Sequence, residues 1–395
     1  MQNPIKQFEP PNTHRGAVTP WLVLGALLIA GVYYFLPAGV IWTARTLAQD
    51  PEPNPLSLVL PEGFKIETYA EDLASPRFME IDEKHRLYVA ESGGGRVLVL
   101  IDEDNDGKVD KQVTLIAGLE QPTSLAFTPD KRGLYVAESH QITLLELGPN
   151  LEILGRTLVV DDLPAGGRHR SKTVLVGADN KLYVSIGSSC DVCEEEDDRR
   201  AAVMQYGLDG SNGFRFAKGL RNAVGMAVDP SSGSIYVSNH GRDLLGDDLP
   251  PETVYRLEAG MDAGWPYCHA GNLLDPKFGK TGSCDKVAQP VFQFQAHSAP
   301  LGIFFYTGAQ FPSRFRGGFF LAYHGSWNRT VPTGYKVVFV PKQGDKYGPE
   351  EDFVSGWLDA EQRVNGRPVG FAQGADGSLF VSDDRAGMIY KVSYP

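Results

Sequence analysis

Residues 220–241 read LRNAVGMAVDPSSGSIYVSNHG. A polar lead-in, Leu220-Arg221-Asn222, is followed by the apolar run AVGMAV. A turn of Asp229, Pro230, Ser231, Ser232 and Gly233 then leads into a second run, IYVSN. Short runs rich in Val, Ile and Tyr between turn residues are strand signals. The same phrase recurs at 73–92 (LASPRFMEIDEKHRLYVAES), 119–139 (LEQPTSLAFTPDKRGLYVAES), 166–188 (GGRHRSKTVLVGADNKLYVSIGS) and 366–387 (GRPVGFAQGADGSLFVSDDRAG), and in diverged form at 297–326. A third run often follows, as in RVLVLI, TVYRLE and MIYKVS.

The second runs start near 87, 134, 182, 235, 320 and 379, so the first three intervals are 47, 48 and 53 residues. A four-stranded propeller blade takes about 40–50. Six copies predict an all-β, six-bladed β-propeller with four-stranded blades. The fourth interval, 85 residues, predicts an insertion, and Cys268 and Cys284 fall in it. A propeller must join its ends, because an open sheet edge invites aggregation. FKIETYA, residues 64–70, is therefore expected to complete the last blade.

Composition agrees with one large globular fold. Of 395 residues, 42% are apolar and 22% charged, and the formal charge is −12. That acidic balance argues against a nucleic-acid partner, since phosphate binding needs a basic face. Only four cysteines are present, so this is not a disulfide-dense miniature fold.

No charged residue occurs between Arg15 and Arg45, and the interval contains WLVLGALLIAGVYYFL. About 20 apolar residues span a bilayer as a helix. Residues 17–44 are read as one N-terminal transmembrane helix, 1–16 as a cytoplasmic tail, 45–59 as a Pro-rich linker and 60–395 as the propeller. The competing reading is a signal peptide, cleaved near Thr46-Leu47-Ala48. Either way the propeller is expected in the periplasm, anchored to the inner membrane or released.

In a propeller the loops that lead into the first strands converge on one face around the axis. Those loops here carry Arg77, Gln121, His169, Arg221, Asn222 and Arg367, and the loop AYHGSWNRT adds His324, Trp327, Asn328 and Arg329. Guanidinium forks match carboxylates and stack on flat rings. The pattern suggests a flat polyanionic ligand; the bland alternative is a solvated rim of arginines.

With these motifs in order, the chain from about Leu60 onward resembles the glucose/sorbosone dehydrogenases, most of all the sorbosone branch. These are six-bladed quinoproteins that use pyrroloquinoline quinone (PQQ) and calcium. The resemblance rests on GGRHRSKTVLVGADNKLYVSIGS, GLRNAVGMAVDP, NHGRD with GMDAGWPYC, HGSWNR and GRPVGFAQGADGSLFVSDDRAGMIYKV. It implies that His169 is the general base, that Arg221 polarises the quinone and that Asn222 hydrogen-bonds the cofactor. Gln121 loosely matches a cofactor-loop Gln. Position and charge make Arg329, Arg367 and Lys336 the candidates for the cofactor's carboxylates. Arg168 stands where glucose-oxidising relatives often carry Asp, which turns the expected substrate from glucose toward a sorbosone-like aldose or aldehyde sugar.

The family's calcium takes backbone carbonyls from a Gly-Pro pair, which falls here on Gly241 and Arg242. A second candidate is Asp102, Asp104 and Asp106 ahead of Gly107; calcium and an ordinary hairpin turn remain open for it. Export favours the disulfides Cys190–Cys193 and Cys268–Cys284 over a zinc site, with all three pairings of four cysteines still open. Glu194 follows Cys193, so no haem-attachment motif C-x-x-C-H is present. A respiratory acceptor, a cytochrome or a quinone, is expected to take the electrons. The alternatives are a calcium-dependent lactonase-like hydrolase and a non-catalytic binding propeller.

Overall fold

The computed structural model describes residues 57–395. The tail, the apolar span and the linker up to residue 56 lie outside the described residues. Among the described residues no helix is long and apolar enough to cross a membrane.

Six sheets, each built on four antiparallel strands, form the propeller. Blade 1 comprises Pro76–Ile81, Leu87–Glu91, Arg96–Ile101 and Lys111–Ala117. Blade 2 comprises Ser124–Phe127, Gly133–Ala137, Ile142–Leu147 and Ile153–Val160. Blade 3 comprises Lys172–Val176, Leu182–Ile186, Ala202–Tyr206 and Phe214–Lys218. Blade 4 comprises Ala223–Val228, Ile235–Asn239, Glu252–Arg256 and Phe292–Phe294. Blade 5 comprises Pro300–Phe304, Phe319–Tyr323, Lys336–Val340 and Glu351–Val354. Blade 6 takes Pro368–Gln373, Leu379–Asp383 and Met388–Ser393 from the C-terminus. Its fourth strand is Lys65–Ala70, with Lys65 opposite Ser393 and Thr68 opposite Tyr390. The expected closure by residues 64–70 is thus observed.

The repeat phrase works because its second strand is sandwiched between neighbouring blades. Every residue of all six second strands is buried, which is why they read as nearly continuous apolar runs. Tyr88, Val97 and Val99 of blade 1, for example, pack against Leu125, Phe127, Leu134 and Val136 of blade 2. Phe64 secures the closing strand, its ring lying edge-on to Phe311, Phe315 and Phe353 with centroids 4.8, 5.2 and 5.0 Å away.

First strands of adjacent blades touch around the axis in a closed ring. Their backbones approach so closely that a Cβ on Gly225 would lie 2.0 Å from the Leu301 carbonyl oxygen. Hydroxyls stitch the ring: Ser238 Oγ donates to Leu301 O at 2.6 Å, and Ser382 Oγ to Arg77 O at 2.6 Å.

Two departures from the expected plan occur. Blade 3 gains a fifth, parallel strand, Met261–Asp262, from the insertion after blade 4's third strand. Pairing also begins before residue 60, since Val59 bridges Ser355.

Candidate functional site

Strand direction alternates within a blade. Lead-in loops and the loops between second and third strands therefore share one face. A recurring device holds the two loop sets together. A polar residue at or just past the end of a second strand accepts a backbone N–H of its blade's lead-in loop: Glu91 from Ala74 (2.5 Å), Glu138 from Glu120 (2.7 Å), Asn239 from Asn222 (3.2 Å) and Asp383 from Arg367 (2.8 Å).

A cavity of about 420 Å³ opens on this face. It is lined by Arg77, Gln121, Arg168, Arg170 and Asp384, among others. Gln121 holds φ at +49° immediately before Pro122, a sparsely populated conformation of the kind found at functional sites. Asp384 is a hub. It accepts from Arg77 Nη1 at 2.6 Å, from His324 Nε2 at 3.0 Å and from Arg367 Nε at 3.1 Å. Burial pushes its pKa up, but His324, Arg77 and Arg367 outweigh that and hold the carboxyl well below its ordinary value.

His169 stands between Arg168 and Arg170. Its tautomer follows from counting protons. Ser188 Oγ gives its single proton to the Cys190 carbonyl at 2.6 Å. His169 Nδ1 lies 2.8 Å from that Oγ and 3.0 Å from the Ser188 carbonyl, so Nδ1 carries the hydrogen and donates. Nε2 is left with its lone pair. Burial first, then the charges of Arg221 and His240, push the His169 pKa down to about 2, so the ring is neutral at working pH. Gly187 makes room here, because a Cβ on it would lie 2.5 Å from His169 Cβ and 2.6 Å from Asn222 Oδ1.

Beside His169 lies a dense charged cluster. Arg221 is buried; its Nη2 donates to Asp191 Oδ1 and Asp243 Oδ2, both at 2.8 Å, and its Nε to the Asp191 carbonyl at 3.0 Å. Asn222 Nδ2 lies 3.2 Å from His240 Nδ1, and His240 Nε2 lies 2.8 Å from the Pro300 carbonyl. The carbonyl can only accept, so His240 carries its hydrogen on Nε2. Arg242 is drawn to Asp275 of the insertion, which also binds His269 Nε2 at 2.9 Å. Both expected disulfides are formed, Cys190–Cys193 and Cys268–Cys284.

The sequence candidates therefore divide. His169, Arg221, Asn222, Gln121 and Arg367 share one face, and Gly241 and Arg242 adjoin them; of these Gln121 lines the cavity, and Arg221, Gly241 and Arg242 line a neighbouring cleft. Arg329 does not line the cavity: its guanidinium is held by the carbonyls of Asp247 and, at 3.2 Å, Val331. Lys336 does not either. It reaches outward along blade 5 to Asp352, 2.5 Å away on the outermost strand.

The Asp102 loop joins a third strand to a fourth, which puts it on the opposite face. Carboxylate oxygens of Asp102, Asp104 and Asp110 gather within 4.8 Å of one another. Asp106 instead accepts the Lys108 N–H at 2.8 Å, so Asp110 takes the place expected of it.

Further residues join the site without a role assigned from the sequence, among them Arg77, Arg170, Asp191, Asp243 and Asp384. Arg77 is the second residue of its first strand, whereas Arg221 and Arg367 precede theirs by two residues and one. The three aspartates follow second strands, at the places where the repeat ends GS, NHG and SDD.

A family model described as TrAA12-like matches residues 58–251 and 274–395, and the chain belongs to that family. A PQQ-dependent pyranose dehydrogenase of Coprinopsis cinerea is 25% identical over 410 residues, covering 86% of this chain and 55% of that protein. An uncharacterized protein of Borreliella burgdorferi is 28% identical over 378 residues, 91% of this chain and 97% of its own. Among solved structures, the holo PQQ domain of the Coprinopsis pyranose dehydrogenase superposes with TM-score 0.74 at 22% identity, covering 88% and 99% of the two chains. A calcium structure of a Trichoderma reesei family AA12 enzyme gives TM-score 0.75 at 22% identity, with 88% and 98% covered.

Proposed function

We propose that this chain is a PQQ-dependent oxidoreductase that oxidises a sugar, with an aldose or sorbosone-like aldehyde sugar preferred to glucose. The observation that carries the reading is His169, a neutral imidazole with Nδ1–H fixed and Nε2 unprotonated, beside a cavity lined by Arg77, Arg168 and Arg170.

The residues present fit the cofactor. The cavity lies within the usual range for small-molecule sites, about 300–1,000 Å³. Its guanidinium groups suit a planar tricarboxylate. Asn328 Oδ1 is buried without a hydrogen-bond partner near Asp243, and Gly187 keeps the ground beside His169 clear.

Bound there, PQQ would supply the two-electron acceptor for the hydrogen leaving the sugar carbon. The chain's own part is proton transfer and positioning. His169 Nε2 takes the hydroxyl proton, and Nδ1–H stays locked on Ser188. Arg77, Arg168, Arg170 and Arg367 would hold the cofactor's carboxylates. Arg221, already oriented by Asp191 and Asp243, presents fixed positive charge to developing negative charge. Backbone oxygens of Gly241 and Arg242 would hold a calcium ion, since calcium asks for oxygen ligands and not for a particular side chain. Asp275 keeps the Arg242 guanidinium occupied.

In this reading electrons pass to a separate respiratory cytochrome or quinone. The propeller works in the periplasm, tethered by the N-terminal span or released after its cleavage; two disulfides support an exported chain. The lactonase alternative would need carboxylates gathered at the axis, whereas the cavity carries three arginines and a single carboxylate, Asp384.

Reconstitution tests the proposal. The protein is titrated with PQQ and calcium, and dye reduction is followed with aldoses and sorbosone. Saturable binding is expected, with turnover that His169→Ala lowers by about 10²–10⁴-fold. An absence of PQQ binding with calcium present would overturn it.

A further inference from the structure

The four-residue ring closed by Cys190–Cys193 touches three parts of the site at once. Its Cys190 carbonyl accepts the Ser188 hydroxyl, a bond that, with the Ser188 carbonyl 3.0 Å from Nδ1, sets the His169 tautomer. Its Asp191 carbonyl accepts Arg221 Nε at 3.0 Å and Trp265 Nε1 at 3.2 Å. Its Asp191 Oδ1 accepts Arg221 Nη2 at 2.8 Å and the Asp243 N–H at 2.9 Å. Asp191 Oδ2 faces Arg242 Nε at 3.8 Å, and that buried Nε has no hydrogen-bond partner among the described residues. One residue thus grips Arg221 twice, through carbonyl and carboxylate, and orients the neighbouring Asp243 segment.

The ring lies in the loop 187–201, which contains no strand or helix. An unrestrained segment of that length would have to lose about 1–2 kcal/mol of backbone freedom per residue to hold such a grip. The disulfide, with Cα atoms 6.2 Å apart, removes part of that freedom at the residues that make the contacts.

We propose that Asp191 is a positioning residue for Arg221, and that the Cys190–Cys193 ring holds Asp191 and the Ser188–His169 pair in register. Its kinetic consequence rests on the dehydrogenase reading; its structural consequence does not. Asp191 acts through Arg221, and Cys190 acts through Ser188 and His169. Asp243 also binds Arg221, so loss of Asp191 loosens the guanidinium without leaving it unpaired.

The test uses the full chain with Asp191→Ala, Asp191→Asn and the double change Cys190→Ser/Cys193→Ser. Histidine ¹⁵N NMR of the cofactor-free protein reads the His169 tautomer, with His169→Gln assigning the signal. Steady-state kinetics of the PQQ- and calcium-loaded protein read kcat and KM.

The double Ser variant is expected to turn the single Nδ1–H tautomer into a mixture. Asp191→Ala and the double variant are expected to lose about 10–100-fold in kcat, with the sugar KM within about threefold. Asp191→Asn keeps the one side-chain oxygen that accepts from Arg221 and the Asp243 N–H, and restores most of the turnover. A wild-type tautomer in the double variant, together with wild-type kcat in Asp191→Ala, would overturn the proposal. If the wild-type protein turns over no sugar, the dehydrogenase reading fails and the tautomer alone decides. If the double variant does not fold, the split between Asp191→Ala and Asp191→Asn decides.

Discussion

His169 Nδ1 lies 2.8 Å from Ser188 Oγ, and that hydroxyl has already committed its proton to the Cys190 carbonyl. The imidazole is therefore held in one tautomer by a residue 19 positions away in sequence. The hydrogen sits on the side turned to the protein, and the lone pair on the other nitrogen.

This arrangement sets the pH dependence. The His169 pKa is pushed down to about 2 by burial, then by Arg221 and His240. A group with a depressed pKa stays neutral until the pH falls below that value. In the cofactor-free protein, histidine ¹⁵N shifts measured between pH 8 and 5.5 should therefore show a neutral His169 ring throughout. Protonation of His169 near pH 6.5 in the free protein would contradict the structure.

Gly187→Ala is expected to weaken PQQ binding by at least about tenfold while the chain still folds. The added methyl would lie 2.5 Å from His169 Cβ and 2.6 Å from Asn222 Oδ1. One or both side chains must move, and a misplacement of about 1 Å costs on the order of 10²-fold in rate. Cofactor titration by fluorescence quenching, with circular dichroism as the folding control, checks this. Wild-type affinity and turnover would show that the glycine is not needed there.

Asp384→Ala should destabilise the fold by about 3 kcal/mol, the range for removing one partner of a buried ion pair. The carboxylate meets Arg77 at 2.6 Å, His324 at 3.0 Å and Arg367 at 3.1 Å, and its loss brings these donors together uncompensated. Urea unfolding at pH 7 measures the effect. A change under about 0.5 kcal/mol would mean that the cluster contributes as little as a surface pair.

Acid stability should depend on His240. Burial, then Arg221, holds its pKa at about 3 against an ordinary 6.5. Between those values the unfolded chain binds a proton that the folded chain refuses. Stability therefore falls as the pH drops below 6.5, by up to about 1.4 kcal/mol per pH unit for this residue. Glu252 opposes the trend, because burial raises its pKa to about 7 and the folded state then binds the extra proton. The clean measurement is a difference: His240→Gln should lose less stability between pH 7 and pH 5 than the wild type, by up to about 2 kcal/mol. Equal losses in the two proteins would refute the assignment.

The site is partly legible in the sequence. His169, Arg221, Asn222 and Arg367 stand at equivalent places in a repeat, so a propeller's geometry sends them to the same face. Arg329 and Lys336 rest on charge and approximate position, and neither says which way a side chain turns. Arg329 finds backbone carbonyls nearby, and Lys336 finds Asp352 on its own blade. Asp191, Asp243 and Asp384 carry no such mark, because they lie outside the lead-in loops that the repeat singles out. The loops after the second strands reach the same face for the same topological reason. In the Asp102 loop the spacing points to Asp106, but the hairpin turns that carboxylate onto Lys108 N and brings Asp110 in.

By itself the sequence determined the blade count and the second strands, because each depends on local periodicity. It pointed to residues 64–70 as the closing strand and favoured the two disulfide pairs, while three pairings of the cysteines stayed open. The tertiary structure decided which charges meet. Arg221 between Asp191 and Asp243, and Arg77, His324 and Arg367 on Asp384, join residues as far as 307 positions apart. Their pairing is set by how six twisted sheets bring loop ends to one axis, and no spacing along the chain encodes that distance.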